Sequence, residues 1–312
     1  NNNRQKINDC LGNPVEIGIA VMWRVTDTAK AVFNVDNYKE YLSLQCDSAL
    51  RNIVRIYPYD VAPGVDTTGD GVADENGYGY IGGSFGEFVK FNCKNGRVEW
   101  KKKIGEGLIQ AKPVISDNKI IFGCWDKYLY CVDRNDGSVI WKWTNGSPQK
   151  LYSPGNVVPA VSNGKVFIVA PDRKMTAISL TDGKELWRTN LHTVRESMCL
   201  SRDGERVYAK TMNDVLICVS TVSDDYQVLW TADCKYGYEH TPCPPVESKN
   251  GLVFLSNRRG QVFAVEGKTG AVKWSFDAGN SAANKIVEGP DGRVWITLIE
   301  GRILSIEPME IL

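Results

Sequence analysis

The chain has 312 residues, with 37 basic side chains against 37 acidic ones, so its formal net charge is zero. That argues against a nucleic-acid binder, whose affinity comes from neutralising phosphates. Two histidines, His192 and His240, are too few for a multi-histidine metal hydrolase, and no apolar run approaches the ~20 residues of a membrane-spanning helix. The nine cysteines form no Cys-x-x-Cys pair, which disfavours a zinc ribbon or thioredoxin-like site and leaves them as small packing residues. Without an initiator Met or a leader pattern, the sequence reads as a processed, trimmed or incomplete chain.

In chain order, Gly12-Asn13-Pro14 is a breaker before a strand running from Ile17 to Thr26. Tyr38, Tyr41, Leu42, Leu50, Ile53 and Val54 then carry helical spacing across 36–57, with Asn34 or Asp36 as the N-cap and Pro58 as the stop. The run Asp9, Gly12-Asn13-Pro14 and Glu16-Ile17, followed by Trp23-Arg24-Val25, Asp27-Thr28-Ala29 and Tyr57-Pro58-Tyr59-Asp60, resembles the core of an SPFH (band 7) domain. The resemblance implies an α+β fragment over 1–62. It lacks the membrane anchor and long helices of that superfamily, so ring assembly and membrane attachment do not follow. The strand with Trp23 also has the form of a closure strand for the last repeat described below.

Residues 63–78 are acidic and glycine-rich. Asp66, Thr68, Asp70, the Val72 carbonyl and Asp74 place oxygen donors at alternate positions around Gly71, the pattern of a calcium loop. Position twelve is Gly77 rather than a bidentate Glu, which leaves a plain linker as the other reading. Calcium is the one cofactor the sequence offers.

From 79 onward the chain repeats. Trp100, Trp141, Trp187, Trp230 and Trp274 are spaced by 41, 46, 43 and 44 residues, and four of them follow a turn glycine by four positions: Gly96, Gly137, Gly183 and Gly270. Upstream of each lie two short β-rich runs, such as 119–123 with 128–133 and 252–255 with 261–266. One equivalent position within the second run reads Lys90, Cys131, Ala177, Cys218, Ala264 and Ser305, small in five of six copies. This period predicts a mainly β fold, a β-propeller of about six four-stranded blades over 79–312.

The motif Gly123-Cys-Trp-Asp-Lys-Tyr-Leu-Tyr-Cys-Val-Asp-Arg-Asn-Asp-Gly137 to Trp141 resembles the quinoprotein-like (PQQ-like) propeller repeat. Phe122-Gly-Cys-Trp125, Ala170-Pro-Asp-Arg-Lys-Met175 and Val194-Arg-Glu-Ser-Met198 resemble the propeller region of bacterial calcineurin-like phosphoesterases. The catalytic Gly-Asp-x-His and Gly-Asn-His motifs of that family are absent, so hydrolysis does not carry over. A quinone-dependent dehydrogenase is a further alternative, without the vicinal Cys-Cys pair common in those enzymes.

In a propeller, two sets of loops share one face. Here they carry Trp125, Asp126, Tyr152, Asp172, Arg173, Arg195, Glu196, Glu239, His240 and Arg258. Aromatic and charged side chains converging on a channel mouth suit ligand binding, with arginines able to grip an anion. The expected function is a non-catalytic scaffold or binding module for a protein, peptide or glycan. The alternative is an accessory domain of a metallophosphoesterase. The propeller favours an extracytoplasmic location; a functional band 7 fragment would instead favour the cytoplasmic membrane surface.

Overall fold

The computed structural model describes residues 5–8, 14–17 and 71–307, apart from 242 and 290. The chain divides into two compact units, Asn1–Thr68 with Asn92–Arg97, and Gly69–Phe91 with Val98–Leu312. In the first unit, strands β1 (Gln5–Asn8) and β2 (Pro14–Ile17) form an antiparallel pair in which Asn8 faces Pro14. Most of the stretch resembling band 7, the strand proposed through Trp23 and the helix over 36–57 lie outside the described residues.

The second unit is a series of antiparallel meanders. The first sheet is β3 (Gly71–Ala73), β4 (Tyr78–Gly82), β5 (Glu87–Asn92) and β6 (Val98–Lys103). The second is β7 (Val114–Ser116), β8 (Lys119–Gly123), β9 (Tyr128–Asp133) and β10 (Val139–Thr144). The third is β11 (Ala160–Ser162), β12 (Lys165–Val169), β13 (Met175–Ser179) and β14 (Glu185–Thr189). The fourth is β15 (Val194–Leu200), β16 (Arg206–Thr211), β17 (Asn213–Ser220) and β18 (Val228–Tyr238). The fifth is β19 (Val246–Glu247), β20 (Leu252–Ser256), β21 (Gln261–Glu266) and β22 (Val272–Asp277). The sixth has three described strands, β23 (Ala283–Glu288), β24 (Val294–Leu298) and β25 (Ile303–Ile306).

The apolar runs of the second strands have a simple cause. Successive side chains point to opposite faces, and both faces are covered, so the strands are apolar throughout rather than alternating. Ile120 and Phe122 pack towards Tyr80 and Phe88 of the first sheet, while Ile121 joins Val166 and Ile168 of the third. Phe167 and Val169 then face Val207 and Ala209 of the fourth sheet. Tyr208 joins Val253 and Leu255 of the fifth, and Leu252 and Phe254 face Val294 and Ile296 of the sixth. Five apolar layers thus sit between six consecutive sheets, the stacking of a β-propeller. Each fully buried Leu, Ile, Val or Phe contributes roughly 1.5–3 kcal/mol.

One feature differs from the sequence reading. The innermost strand of the first sheet is β3, which lies inside the acidic stretch 63–78. Its three residues carry no period of their own, and pairing to β4 makes the strand, with Val72 opposite Tyr80. The small residues of the third strands have a steric reason within their own sheet. Cys131, Ala177, Cys218 and Ala264 each pair with the tryptophan of the outer strand. Lys90 occupies the same register opposite Trp100, and its ammonium leaves the layer to lie 4.6 Å from the centre of the Tyr78 ring.

Candidate ligand-binding site

In an up-and-down sheet, the loop between second and third strands lies at the same end as the connection to the next sheet. Around the third sheet these loops form a cleft of about 600 Å3. Tyr152 comes from a single 3-10 turn, Lys150–Tyr152, closed by the Ser153 hydroxyl donating to the Lys150 carbonyl at 2.6 Å. Asp172 and Arg173 sit on the tight turn between β12 and β13. There the Arg173 amide donates to the Ala170 carbonyl at 2.8 Å and Arg173 adopts φ 65°. Arg195 and Glu196 belong to a bulge: β15 pairs with β16 at Val194 and again at Met198, and Glu196 has φ 41°. Bulges re-aim side chains out of a ladder, and this one brings the pair to the cleft wall with Leu151 and Pro171.

The two carboxylates are held differently. Asp172 accepts from Arg188 Nη2, from Asn145 Nδ2 at 3.1 Å and from the Lys174 amide at 3.1 Å. It is a fixed, satisfied anion. Glu196 lies 3.4 Å from Arg195 Nε and accepts a 3.5 Å bond from Asn156. Burial pushes its carboxyl above the usual glutamate range, opposed by Asn156 and by the charges of Arg195 and Arg173. Asn156 Oδ1 is buried without a partner. Arg173 is exposed, with no ion pair among the described residues, and Arg195 is 41% exposed, so both guanidiniums keep donors for a ligand.

The remaining sequence candidates fall elsewhere. Trp125 packs its indole over Gly155 and donates to Gln110 Oε1 at 2.9 Å. Asp126 is buried, accepting from the Glu106 amide at 2.8 Å, the Tyr128 amide at 3.2 Å and the Tyr130 hydroxyl at 2.8 Å. Glu239 is buried and accepts from Thr241 and from the Arg258 amide. Burial alone would raise its carboxyl, but the Lys210 charge and these donors hold it below its ordinary value. His240 is exposed and stacks on Tyr238, ring centres 6.0 Å apart, while the Arg258 side chain is exposed. The structure therefore gathers Tyr152, Asp172, Arg173, Arg195 and Glu196 into one cleft. It gives Asp126 and Glu239 to the framework.

Sequence reasoning passed over Lys210, which is buried and donates to the Ser256 carbonyl at 2.9 Å. A lysine within the apolar run Val207-Tyr208-Ala209 was the available signal. It also passed over Arg188 and Asn145, whose roles depend on contacts between loops.

Of the candidate calcium ligands, Asp66, Thr68 and Asp70 lie outside the described residues. Val72 belongs to β3. Asp74 accepts from the Asn76 and Tyr78 amides at 2.9 Å, from the Tyr80 hydroxyl at 2.8 Å and from Arg134 at 3.2 Å. Among the described residues no three His, Cys, Asp or Glu side chains are grouped to hold a metal. No helix among them is long and apolar enough to cross a membrane. The described cysteines are free. Burial pushes the thiols of Cys124, Cys131, Cys218 and Cys234 up to about 12, which suits packing rather than nucleophilic chemistry.

Comparison with known proteins agrees with the sheet architecture. Outer membrane protein assembly factor BamB of Yersinia pestis is 23% identical over 217 residues, which cover 66% of this chain and 52% of that protein. The chain thus spans about half the length of this curated relative. The crystal structure of BamB from Moraxella catarrhalis superposes with a TM-score of 0.55 at 18% identity, over 75% of this chain and 72% of that one. A computationally designed protein, Ika8, reaches a TM-score of 0.62 at 14% identity, over 76% and 69% of the two chains. At such identities the solved structures speak for the fold alone. The family model described as outer membrane protein assembly factor BamB matches residues 20–276 and 219–307, and the chain belongs to this PQQ-like propeller family.

Proposed function

We propose that this chain is a non-catalytic propeller module that binds a protein partner at the cleft beside the third sheet, outside the cytoplasm. The observation that carries this reading is the pair Arg173 and Arg195. They stand over a wall of satisfied or buried carboxyls, with Leu151 68% exposed at the rim and Leu191 76% exposed on the loop leading into β15. Arginine next to exposed aliphatic side chains on neighbouring loops is the composition of a protein-recognition surface. A cleft whose free charges are cationic fits an acidic segment. The relatives' name, assembly factor, supports a role carried out with protein partners, and it supports the extracytoplasmic location. On this reading the sheets from β3 onward form the binding domain.

Photo-crosslinking tests it. A photoreactive residue at Tyr152 or Arg173 is expected to yield discrete protein adducts in cells, weakened by Arg195→Glu. One at Asn135, at the opposite end of the sheets, is expected not to. Adducts from both ends alike, or turnover of a phosphoester by the purified chain with divalent metals, would refute the proposal.

A further inference from the structure

We propose that Glu196 is a built-in occupant of the cleft's anion site. It holds Arg195 in the free chain, and when an acidic segment of the partner takes that guanidinium, Glu196 accepts a proton from solvent, so that the cleft grips harder as pH falls. This role rests on the cleft's being the docking site proposed above for an acidic segment. Arg195 and Glu196 are adjacent in sequence, and in a regular strand they would point to opposite faces. The bulge removes that separation. Between Val194 opposite Thr211 and Met198 opposite Ala209, three residues of β15 stand against the single Lys210 of β16. Glu196 takes φ 41°, and both side chains reach the cleft wall. Ser197, the last residue of the bulge, is buried and donates from its hydroxyl to the Thr241 carbonyl at 3.3 Å.

The Glu196 side chain is 8% exposed, against 41% for Arg195. A carboxylate so enclosed is stable only with close charged donors. Its polar contacts among the described residues are long, Arg195 Nε at 3.4 Å and Asn156 Nδ2 at 3.5 Å. Asp172, in the wall of the same cleft, is by contrast held by Arg188, Asn145 and the Lys174 amide. Asn156 Oδ1, on the amide that touches Glu196, is buried without a donor. One proton answers both deficits. A neutral carboxyl donates as well as accepts, and an asparagine amide can present either of its ends. Protonated Glu196 then supplies the donor that Asn156 lacks, and Arg195 is released to the ligand.

The charges around Glu196 fix the sign. Arg195 on its own strand and Arg173 on the turn between β12 and β13 act on it, while Asp172 on that turn is matched by Arg188. Lys210, opposite the bulge, is directed to the Ser256 carbonyl at 2.9 Å and to the Glu239 charge. Tyr152 shares the cleft, and His192, on the loop leading into β15, contacts the Tyr226 hydroxyl through Nδ1 at 2.9 Å. Burial favours the neutral carboxyl of Glu196, and Asn156 and the two arginines oppose it. An anion seated on those arginines cancels their opposition and adds like charge. The proton is then held more tightly with ligand in place, and by linkage the ligand more tightly with the proton in place.

The probe is an acetylated, amidated hexapeptide alternating leucine and cysteic acid, whose sulfonates keep their charge from pH 5 to pH 8. Titrated calorimetrically into the full chain, it is expected to bind at least about threefold more tightly at pH 5 than at pH 8, with proton uptake read from the dependence of the heat on buffer. Glu196→Gln is expected to bind at pH 8 as tightly as the unsubstituted chain does at pH 5, and to take up no proton. His192→Gln is expected to keep both effects. Should Glu196→Gln fail to fold, carbon-13 NMR of the Glu196 carboxyl keeps the test, its midpoint expected to rise in the probe-saturated chain. Affinity flat with pH, a dependence that survives Glu196→Gln or vanishes with His192→Gln, or a midpoint that does not rise overturns the role of Glu196 and leaves the docking site standing. Absence of binding at every pH, in the unsubstituted chain and in Glu196→Gln alike, would refute the docking site and this role with it.

Discussion

The indole of Trp141 lies across Gly183 of the following sheet and donates from Nε1 to the Leu180 carbonyl at 3.0 Å. Gly183 has φ 73°, and a Cβ there would approach the Trp141 ring to 2.8 Å. One glycine thus closes the turn of its own sheet and seats the indole of the sheet before it. Gly183→Ala should therefore cost more than the ~1–2 kcal/mol of a left-handed alanine. Gly164→Ala, at φ 69° with nothing within 4 Å, should show that strain alone. Chemical denaturation of the two variants gives the comparison, and equal losses would mean the indole yields freely.

Asp74 and Glu196 are expected to shape the acid limb of stability in opposite senses. Burial by itself raises Asp74, but the amides of Tyr78 and Asn76, the Tyr80 hydroxyl and Arg134 more than offset it and leave the carboxyl below its ordinary 3.8. A depressed folded value contributes stability above 3.8 that is lost as pH falls through the folded value. Asp74→Asn should cost about 2 kcal/mol at neutral pH through its charged hydrogen bonds, while Arg134 keeps Glu75 at 2.9 Å and the Asp117 carbonyl at 3.1 Å. The deficit should shrink in acid, as read from urea midpoints across pH.

Glu196 has its folded value raised above 4.5 by burial. Its contribution is present below 4.5 and lost as pH rises through the folded value. Glu196→Gln should match the unsubstituted chain at low pH and exceed it in stability at neutral pH. A variant less stable at pH 7 would show that the Arg195 contact outweighs desolvation.

Cys124, Cys131, Cys218 and Cys234 are buried, with thiols held near 12. They should resist alkylation in the native chain at pH 8 and react when it unfolds, as site-resolved mass spectrometry can follow. Prompt native labelling of Cys131 would contradict the packing of the second and third sheets against each other.

Lys210 carries a buried amine with its value lowered, burial outweighing the nearby Glu239 charge. For a lysine so depressed, the penalty is full at low pH and is relieved as pH rises from the folded value towards 10.5. Lys210→Met should remove that alkaline gain. Its sign at neutral pH reads whether the Ser256 bond and the Glu239 charge repay desolvation.

The periodic tryptophans, their turn glycines and the paired apolar runs already dictate stacked four-stranded sheets from sequence alone, because side-chain alternation and turn geometry are local properties repeated at a fixed interval. Cys131 and Cys218 were legible as packing residues for the same reason. The loops were legible only as composition. Asp126 and Asp172 both follow a second strand, yet one is enclosed by Tyr130 and the Glu106 amide while the other stands in a cleft wall. Their fates depend on residues far along the chain, on a bulge at 195–197 that re-aims Glu196, and on desolvation, which is a property of the packed surroundings. β3 became a strand by pairing to β4, with no pattern of its own. Local stereochemistry set the sheets and their order; only long-range packing decided which charges are spent on the framework and which face a ligand.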